Sequence, residues 1–352
     1  MPSANPHLVL VGGFLGSGKT TLLLRAAARL RDRGMRAAII TNDQGGELVD
    51  TRLVDASGYA GEEIAGGCFC CHFSDFISAA ERLRAFNPEV IFAEPVGSCM
   101  DISATILQPV KQLYGNRFRL APFTVLVDPE RARQLLQPEA DVHFSYLFRN
   151  QLEEADLVCF SKADLCWEFP GLPGIIAHRL SARTGEGVNE WLDYVLAGES
   201  MAGGHLLDVD YSRYAEAEAA LGWLNWKANF RPKRPLSPAT VVGPLLDRLA
   251  ELLSQGGVEI AHLKVFDQAS TGYIKASICQ NGEEPIVDGD LLASPSRQHE
   301  LVLNLRAKAA PELLDALASR ATSELPGTLT VVHRQSFRPS RPVPEHRFTT
   351  VV

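Results

Sequence analysis

The chain has 352 residues, a net charge of -8, 46% hydrophobic and 22% charged residues, which is the composition of a folded globular protein and excludes a disordered or membrane-embedded class. That acidity also argues against broad nucleic-acid binding, which needs a dense basic surface to displace counterions. The length suggests two domains.

The opening MPSANPHLVLVGG has no basic n-region, and no later apolar run approaches the roughly 18 residues of a spanning helix, so a cytoplasmic protein with no membrane partner is expected. In that compartment clustered thiols are metal ligands or reactive groups rather than disulfides. Short β-branched runs then alternate with helical patterns: HLVLVGGF, KTTLLLRAAARLRDRG, RAAIITN, FSDFISAAERLRAF, EVIFAEP, MDISATILQPVKQLYG, APFTVLVDP, FSYLFRNQLEEA and DLVCFSKAD. The pattern predicts an α/β domain over 1–200, a mostly parallel sheet with functional residues at its carboxyl edge. A linker is expected over 201–220 and a smaller α+β domain over 221–337: LGWLNWKANFR with Leu224, Trp226, Ala228 and Phe230 on one face, a helix ending near Gln255, strands EIAHLKVF, GYIKASIC and HELVLNLRA, a helix over PELLDALASRA, and a last strand TLTVVHRQSF. Residues 338–352 read as a basic, proline-containing tail, solvated or docking an acidic client.

GFLGSGKT, Gly13 to Thr20, sits between a strand and a helix and fits the P-loop pattern GxxxxGK[ST]. Gly13, Gly16, Ser17, Gly18 and Thr21 would surround a phosphate with backbone N–H groups, Lys19 would reach the β- and γ-phosphates, and Thr20 would offer its hydroxyl to Mg²⁺. Asp43 in ITNDQGG and Glu94 in VIFAEPVG both follow apolar runs and are candidates for a second magnesium contact. Ser161, Lys162 and Asp164 in SKAD approximate the guanine motif NKxD, in which the aspartate accepts hydrogen bonds from guanine N1 and its amine; Ser181 and Ala182 in SARTGEG could contact the guanine oxygen. The nucleotide expected is GTP with Mg²⁺.

AGGCFCCHF brings Cys68, Cys70 and Cys71 beside His72. In an extended backbone Cys68 and Cys70 share a side and Cys71 points away, so a third thiolate reaches the same ion only if the chain bends. Thiolates favour Zn²⁺ and Cu⁺; Co²⁺ or Ni²⁺ would be helped by His72, Glu62 or Glu63. Redox thiols or buried small residues are the competing readings, and a helix cap is the competing one for His72. Cys99, Cys159, Cys166 and Cys279 are scattered and read as small buried hydrophobes, and His262, His299, His333 and His346 as structural or solvated.

In this order GGFLGSGKTTLL, TNDQGG, GGCFCC, AEPVG, SKAD and SARTGEG resemble the CobW-type (CobW/HypB/UreG) P-loop GTPases. The resemblance is strong over the first 200 residues and looser over HLKVF and the rest of the C-terminal half. It implies slow GTP hydrolysis coupled to delivery of a transition metal, Zn²⁺ or Co²⁺ with Ni²⁺ as a third candidate. Cys68, Cys70 and Cys71 inherit the metal role, Glu94 the Walker B role, and Lys162 with Asp164 the base role. The implied partners are a metal- or cofactor-dependent client and, as an option, a nucleotide- or metal-dependent homodimer. The chain departs from the family's pattern at Pro-Val-Gly after Glu94 and at Ser161. The alternatives are a G-protein chaperone of a metal- or corrinoid-dependent enzyme without metal cargo, a small-molecule kinase, and a non-enzymatic interaction protein.

Overall fold

A computed structural model describes residues 5–197 and 202–352; the boundary expected at 200/201 lies outside the described residues. The chain divides into two compact units, one of Met1–Gln44, Ser57–Ala217 and Arg341–Val352, the other of Gly45–Ala56 and Glu218–Ser340.

The first unit is built on strands β1 (His7–Gly12), β2 (Ala37–Asn42), β3 (Ala60–Ile64), β4 (Val90–Glu94), β5 (Arg119–Leu120), β6 (Thr124–Val127), β7 (Leu157–Phe160) and β8 (Ala177–Arg179). The order is β3-β2-β4-β1-β6-β7-β8 with β5 also on β1, and every pairing is parallel. Leu8 to Val11 are fully buried, as expected of a central strand covered on both faces. The β1–β4 register, Leu10↔Ala93, brings the end of β4 level with the end of β1, so Glu94 emerges beside the loop that follows Gly12. Helix α1 (Lys19–Asp32) buries Thr20, Leu22, Leu23, Ala26, Ala27 and Leu30. It stops at Gly34, whose φ of 75° lets Gly34 N–H reach Arg31 O and Met35 N–H reach Leu30 O, a Schellman closure.

The second unit contains α2 (Val49–Ala56), and the first continues with α3 (Phe73–Leu83), α4 (Gln108–Tyr114), α5 (Pro129–Leu135), α6 (Val142–Glu153) and α7 (Val188–Leu196), α8 (Tyr211–Ala219) running to the boundary. The rest of the second unit is an antiparallel sheet of β9 (Gly222–Pro232), β10 (Glu259–Ala269), β11 (Gly272–Ile278), β12 (Ile286–Gly289), β13 (His299–Lys308) and β14 (Gly327–Phe337), ordered β12-β11-β10-β13-β9-β14, with helices α9 (Pro238–Gln255) and α10 (Pro311–Ser323). The alternation read in β9 is real: Leu224, Trp226, Ala228 and Phe230 join Leu245, Leu249, Leu303 and Leu314 in one core. The opposite face takes the segment Gly45–Ala56. Asn225 Nδ2 donates to Gly46 O at 2.9 Å and Asn304 Nδ2 to Glu47 O at 3.1 Å. Val49 N–H donates to Asn304 Oδ1 at 2.8 Å, Lys227 pairs with Glu47 at 3.2 Å, and Lys264 pairs with Asp50. Polar residues at alternate positions of β9, β10 and β13 are therefore sockets for α2 and not a solvated face. His299 is the structural histidine expected, fully enclosed with its Nδ1 2.8 Å from Asp267. Among the described residues no helix is long and apolar enough to cross a membrane.

Candidate functional site

The phosphate loop owes its shape to three glycines with positive φ, 129° at Gly13, 79° at Gly16 and 91° at Gly18. A Cβ on Gly13 would lie 2.3 Å from Leu126 O, so no other residue fits there. Lys19 Nζ curls back to donate to Gly13 O at 2.8 Å, closing the loop on its own ammonium. Ser17 Oγ is buried without a hydrogen-bond partner, which suits a loop shaped to receive an anion's oxygens. Thr20 Oγ1 lies 2.9 Å from Glu94 Oε2 and 3.1 Å from Oε1, both side chains being buried. Asp43 emerges half-buried from β2 at the same sheet edge, two residues beyond Thr41, the register partner of Glu94, and its N–H is held by Ile64 O. Thr21 is half-buried in the first turn of α1.

At the far side of β1 the structure brings SKAD and SARTGEG together. Asp164 Oδ1 accepts from Ser181 Oγ at 2.6 Å, and Ser181 Oγ accepts from Thr184 N–H at 3.1 Å. Arg25 of α1 holds the second loop through the carbonyls of Ala182, at 2.8 Å, and Arg183. Lys162 adopts a left-handed φ of 53° and pairs with Asp128 at 2.6 Å. Ser161, 3% exposed, spends its hydroxyl on Val127 O at 3.3 Å, staying on its own sheet. Sequence reasoning missed Asp128, which fixes the Lys162 ammonium and caps α5 through Glu130 N–H at 2.9 Å. Its place at the end of β6, in VDP, was the available signal.

The chain does bend at the thiols. Cys71 and His72 N–H groups both donate to Cys68 O, at 3.0 and 3.1 Å, and this turn swings Cys71 back to its neighbours. The sulfurs stand 2.6 Å (Cys68–Cys70), 3.3 Å (Cys68–Cys71) and 3.8 Å (Cys70–Cys71) apart. None of the seven cysteines is in a disulfide. Among the described residues these three form a group whose ligand atoms lie within 4.8 Å of one another. Hydrogen bonds from Cys70, Cys71 and Cys99 hold the Cys68 thiol well below the usual thiol range. Hydrogen bonding to Cys68, with burial, pushes Cys70 well above that range and Cys71 up to about 11. The cluster therefore parts with one proton easily and resists a second negative charge, a resistance that a bound cation would relieve. Asn42, another residue missed, pins the loop: its Nδ2 donates to Ile64 O at 3.0 Å and Gly67 O at 2.8 Å, and its Oδ1 accepts from Phe69 N–H at 3.1 Å. His72, weighed as ligand or cap, is the N-cap residue of α3 without a side-chain cap bond; its ring lies over Gly67 and its Nδ1 is 3.1 Å from Asp75. Glu62 pairs with Arg82 at 2.7 Å.

The segment 341–352, expected to be solvated, is built into the first unit beside these thiols. Val343 N–H donates to Cys71 Sγ at 3.2 Å and Glu345 N–H to Cys70 O at 2.9 Å. Glu345 Oε2 accepts from Ser74 N–H at 3.1 Å and Ser74 Oγ at 2.6 Å, capping α3 from outside, and His346 packs edge-on to Phe73 at 5.0 Å. Arg347 donates to Asp101 Oδ2 at 2.8 Å. Its charge draws the segment inward because Asp101 is almost fully buried at the entry to a π-helical turn, Ser103–Leu107.

Glu154 lies fully buried nearby, its Oε2 accepting from Ser103 N–H at 3.2 Å. Burial first, then the Asp101 charge, pushes its carboxyl well above the usual range despite that bond. A raised carboxyl contributes stability that is fully present below the unfolded pKa and is lost as pH rises towards the folded one. Wild-type stability is thus expected to carry a term falling by up to about 1.4 kcal/mol per pH unit above about pH 4.3. Glu154→Gln keeps the bond to Ser103 and should abolish that term, becoming the more stable chain at neutral pH; urea melts of both proteins across pH 5–8 measure it.

Residues 7–171 match the family model described as CobW/HypB/UreG, nucleotide-binding domain. The zinc chaperone YeiR of Escherichia coli is 28% identical over 222 residues, covering 60% of this chain and 61% of YeiR. The zinc-regulated GTPase metalloprotein activator 1 of Schizosaccharomyces pombe is 27% identical over 169 residues, covering 45% of this chain and 39% of that protein. The matches thus span less than two thirds of either relative. Among solved structures, HypB from Helicobacter pylori in complex with nickel superposes with a TM-score of 0.41 at 15% identity, over 59% of this chain and 92% of that one.

Proposed function

For a chain whose residues 7–171 match the CobW/HypB/UreG nucleotide-binding domain model, we propose a GTP-hydrolysing metallochaperone that takes a transition metal as cargo at Cys68, Cys70 and Cys71. The observation that carries this reading is the turn at Cys68, which gathers three sulfurs within 3.8 Å of one another, so that one ion with three thiolate ligands needs only a spreading of the Cys68–Cys70 pair. A donor set of thiolates without histidine favours Zn²⁺ over Co²⁺ and Ni²⁺.

The loop's own contacts support nucleotide binding. Lys19 exchanges Gly13 O for phosphate oxygens, and Ser17 Oγ and the glycine N–H groups surround the β-phosphate. Thr20, Glu94 and Asp43 are the residues that would hold Mg²⁺, which supplies charge neutralisation across the β- and γ-oxygens. Asp164 accepts from guanine N1 and its amine while the Lys162 stem lies along the base. The link to the cargo runs through neighbouring residues. Asp43 belongs to the segment that γ-phosphate contacts order, and Asn42 beside it holds the thiol loop. Nucleotide state thereby alters metal affinity, and metal must alter nucleotide affinity by the same factor. Delivery is to a metal- or cofactor-dependent client; a homodimer that forms with nucleotide or metal is the second partner.

The test is a competition titration of Zn²⁺, Co²⁺ and Ni²⁺ against a chromophoric chelator, with and without Mg²⁺ and a non-hydrolysable GTP analogue. One metal per chain, affinity lost in Cys70→Ser, and a shift of about tenfold or more with nucleotide, near 1.4 kcal/mol, are expected. Metal binding that is absent or indifferent to nucleotide refutes the cargo reading and leaves a GTPase with structural or redox thiols.

A further inference from the structure

Cys68 and Cys70 are 3% and 1% exposed, whereas Cys71 is half-buried, so the thiol cluster meets its surroundings at Cys71. Residues 341–352, which belong to the same unit, cross the cluster at that point. Pro342 and Pro344 have no N–H, which leaves Val343 the one backbone donor among 342–344, and it donates to Cys71 Sγ at 3.2 Å. Beyond the thiols the segment is tied at three successive points. Glu345 N–H donates to Cys70 O and the Glu345 carboxylate takes Ser74 at the start of α3. Arg347 Nε donates to Asp101 Oδ2 at 2.8 Å and its Nη2 to Leu207 O at 2.9 Å, and Phe348 N–H donates to Ala104 O at 3.0 Å. Asp101 is 1% exposed, takes another bond from Tyr211 Oη at 2.7 Å, and has Arg347 as the cation of its ion pair. Residues 341–352 form no helix or strand, so these few bonds hold the segment, and their loss frees it without unravelling an element of the core.

We propose that residues 341–352 are a strap that closes the thiol cluster, latched by Arg347 on Asp101, and that this latch sets how fast a divalent metal ion enters and leaves. The metal part rests on the reading of Cys68, Cys70 and Cys71 as a cargo site. An ion, a chelator or an acceptor thiol reaches the cluster from the Cys71 side, which the closed strap occupies. Opening takes the guanidinium away from a buried carboxylate and leaves that charge unpaired, so the closed form is the ground state. The two prolines favour closure as well, because a stiff segment has less freedom to lose on docking. A thiolate sulfur that accepts one N–H keeps other lone pairs for a metal, so the strap closes over a loaded cluster as it does over an empty one. It therefore acts on the two rates together and leaves affinity nearly unchanged, which separates a cover from a ligand. Arg347 is in this sense a positioning residue, acting through the strap and touching no sulfur itself.

The test compares full-length wild type with Arg347→Ala, Arg347→Lys and Glu345→Ala by two readouts. The first is the rate at which Zn²⁺-loaded protein gives up its ion to an excess of chromophoric chelator; the second is the rate at which iodoacetamide alkylates Cys71 in the metal-free protein, followed by mass. Arg347→Ala should speed both by at least about tenfold, Glu345→Ala by about threefold, and Arg347→Lys should return most of the way to wild type, with the Zn²⁺ dissociation constant staying within about threefold throughout. Glu345 is exposed and its loss strands no buried charge, so that variant keeps the test open if Arg347→Ala fails to fold. Release and alkylation rates equal to wild type in the folded variants overturn the strap while the three-cysteine site survives. Weakened Zn²⁺ binding with unchanged alkylation also overturns it, because the segment would then support the metal and not cover it. Alkylation that follows the expected order in a protein that binds no Zn²⁺ upholds the strap as a guard over the thiols and removes the cargo reading instead.

Discussion

Asp164→Asn is expected to weaken GTP binding about 10³-fold and to improve binding of xanthosine triphosphate. The carboxylate would accept two hydrogen bonds from guanine, one from N1–H and one from the exocyclic amine, at roughly 1.5–3 kcal/mol each when the acceptor is ionised. An asparagine presents one acceptor and one donor, which mismatches guanine and suits the carbonyl that xanthine has in place of the amine. The local fold should survive, because the amide oxygen still accepts from Ser181 Oγ, now 2.6 Å from Oδ1. Displacement of a fluorescent nucleotide by GTP, XTP and ATP reads the change. An unaltered order of preference would mean that SKAD does not contact the base, whatever its resemblance to the guanine motif. The serine at 161 makes the experiment informative, since its hydroxyl stays bonded to Val127 O and leaves Asp164 as the main discriminator.

Glu94→Gln should leave nucleotide affinity within a few-fold of wild type and slow hydrolysis by about 10²–10³. Affinity survives because the glycine loop, Lys19 and the base loops are untouched. Turnover suffers because the Thr20 hydroxyl lies within 3.1 Å of both carboxylate oxygens, and the amide removes the negative charge on which a magnesium ion between them would depend. Single-turnover hydrolysis over a range of Mg²⁺ concentrations separates the two quantities. If excess Mg²⁺ restored the full rate, the loss would lie in metal affinity alone; a persistent deficit at saturation places Glu94 in the transition state's electrostatic field. Equal rates for the two proteins would remove Glu94 from the site altogether.

Much of the first unit was legible because the phosphate loop, Asp43, Glu94 and SKAD each follow a buried apolar strand, and β1, β2, β4, β6 and β7 carry such runs. β3 and β12 were not, since AGEEI and IVDG are short, polar edge strands without an apolar alternation to mark them. The Cys71 position depended on a turn closed by Cys68 O, a backbone event that spacing leaves open. Cys99 is buried, as its scattered position in the sequence suggested. The tail deceived for a different reason. Arginine and glutamate in a proline-rich stretch suggest solvation, and nothing local reveals that Asp101 and the bare N-terminus of α3 await them. Long-range polar pairing of this kind has no periodicity to read.

Gly45–Ala56 interrupt the nucleotide unit and are folded into the other one, although Asp43 precedes them by two residues. Recombination that shuffles domains as end-to-end blocks would therefore tear this protein: a chimera that exchanges everything after Ala217 keeps an α2 whose sockets, Asn225, Lys227, Lys264 and Asn304, have come from a different parent. The short insert and the distant half must drift together in sequence, with α2 and the polar face of the sheet as the matched surfaces inside one unit, and a working transplant has to carry both.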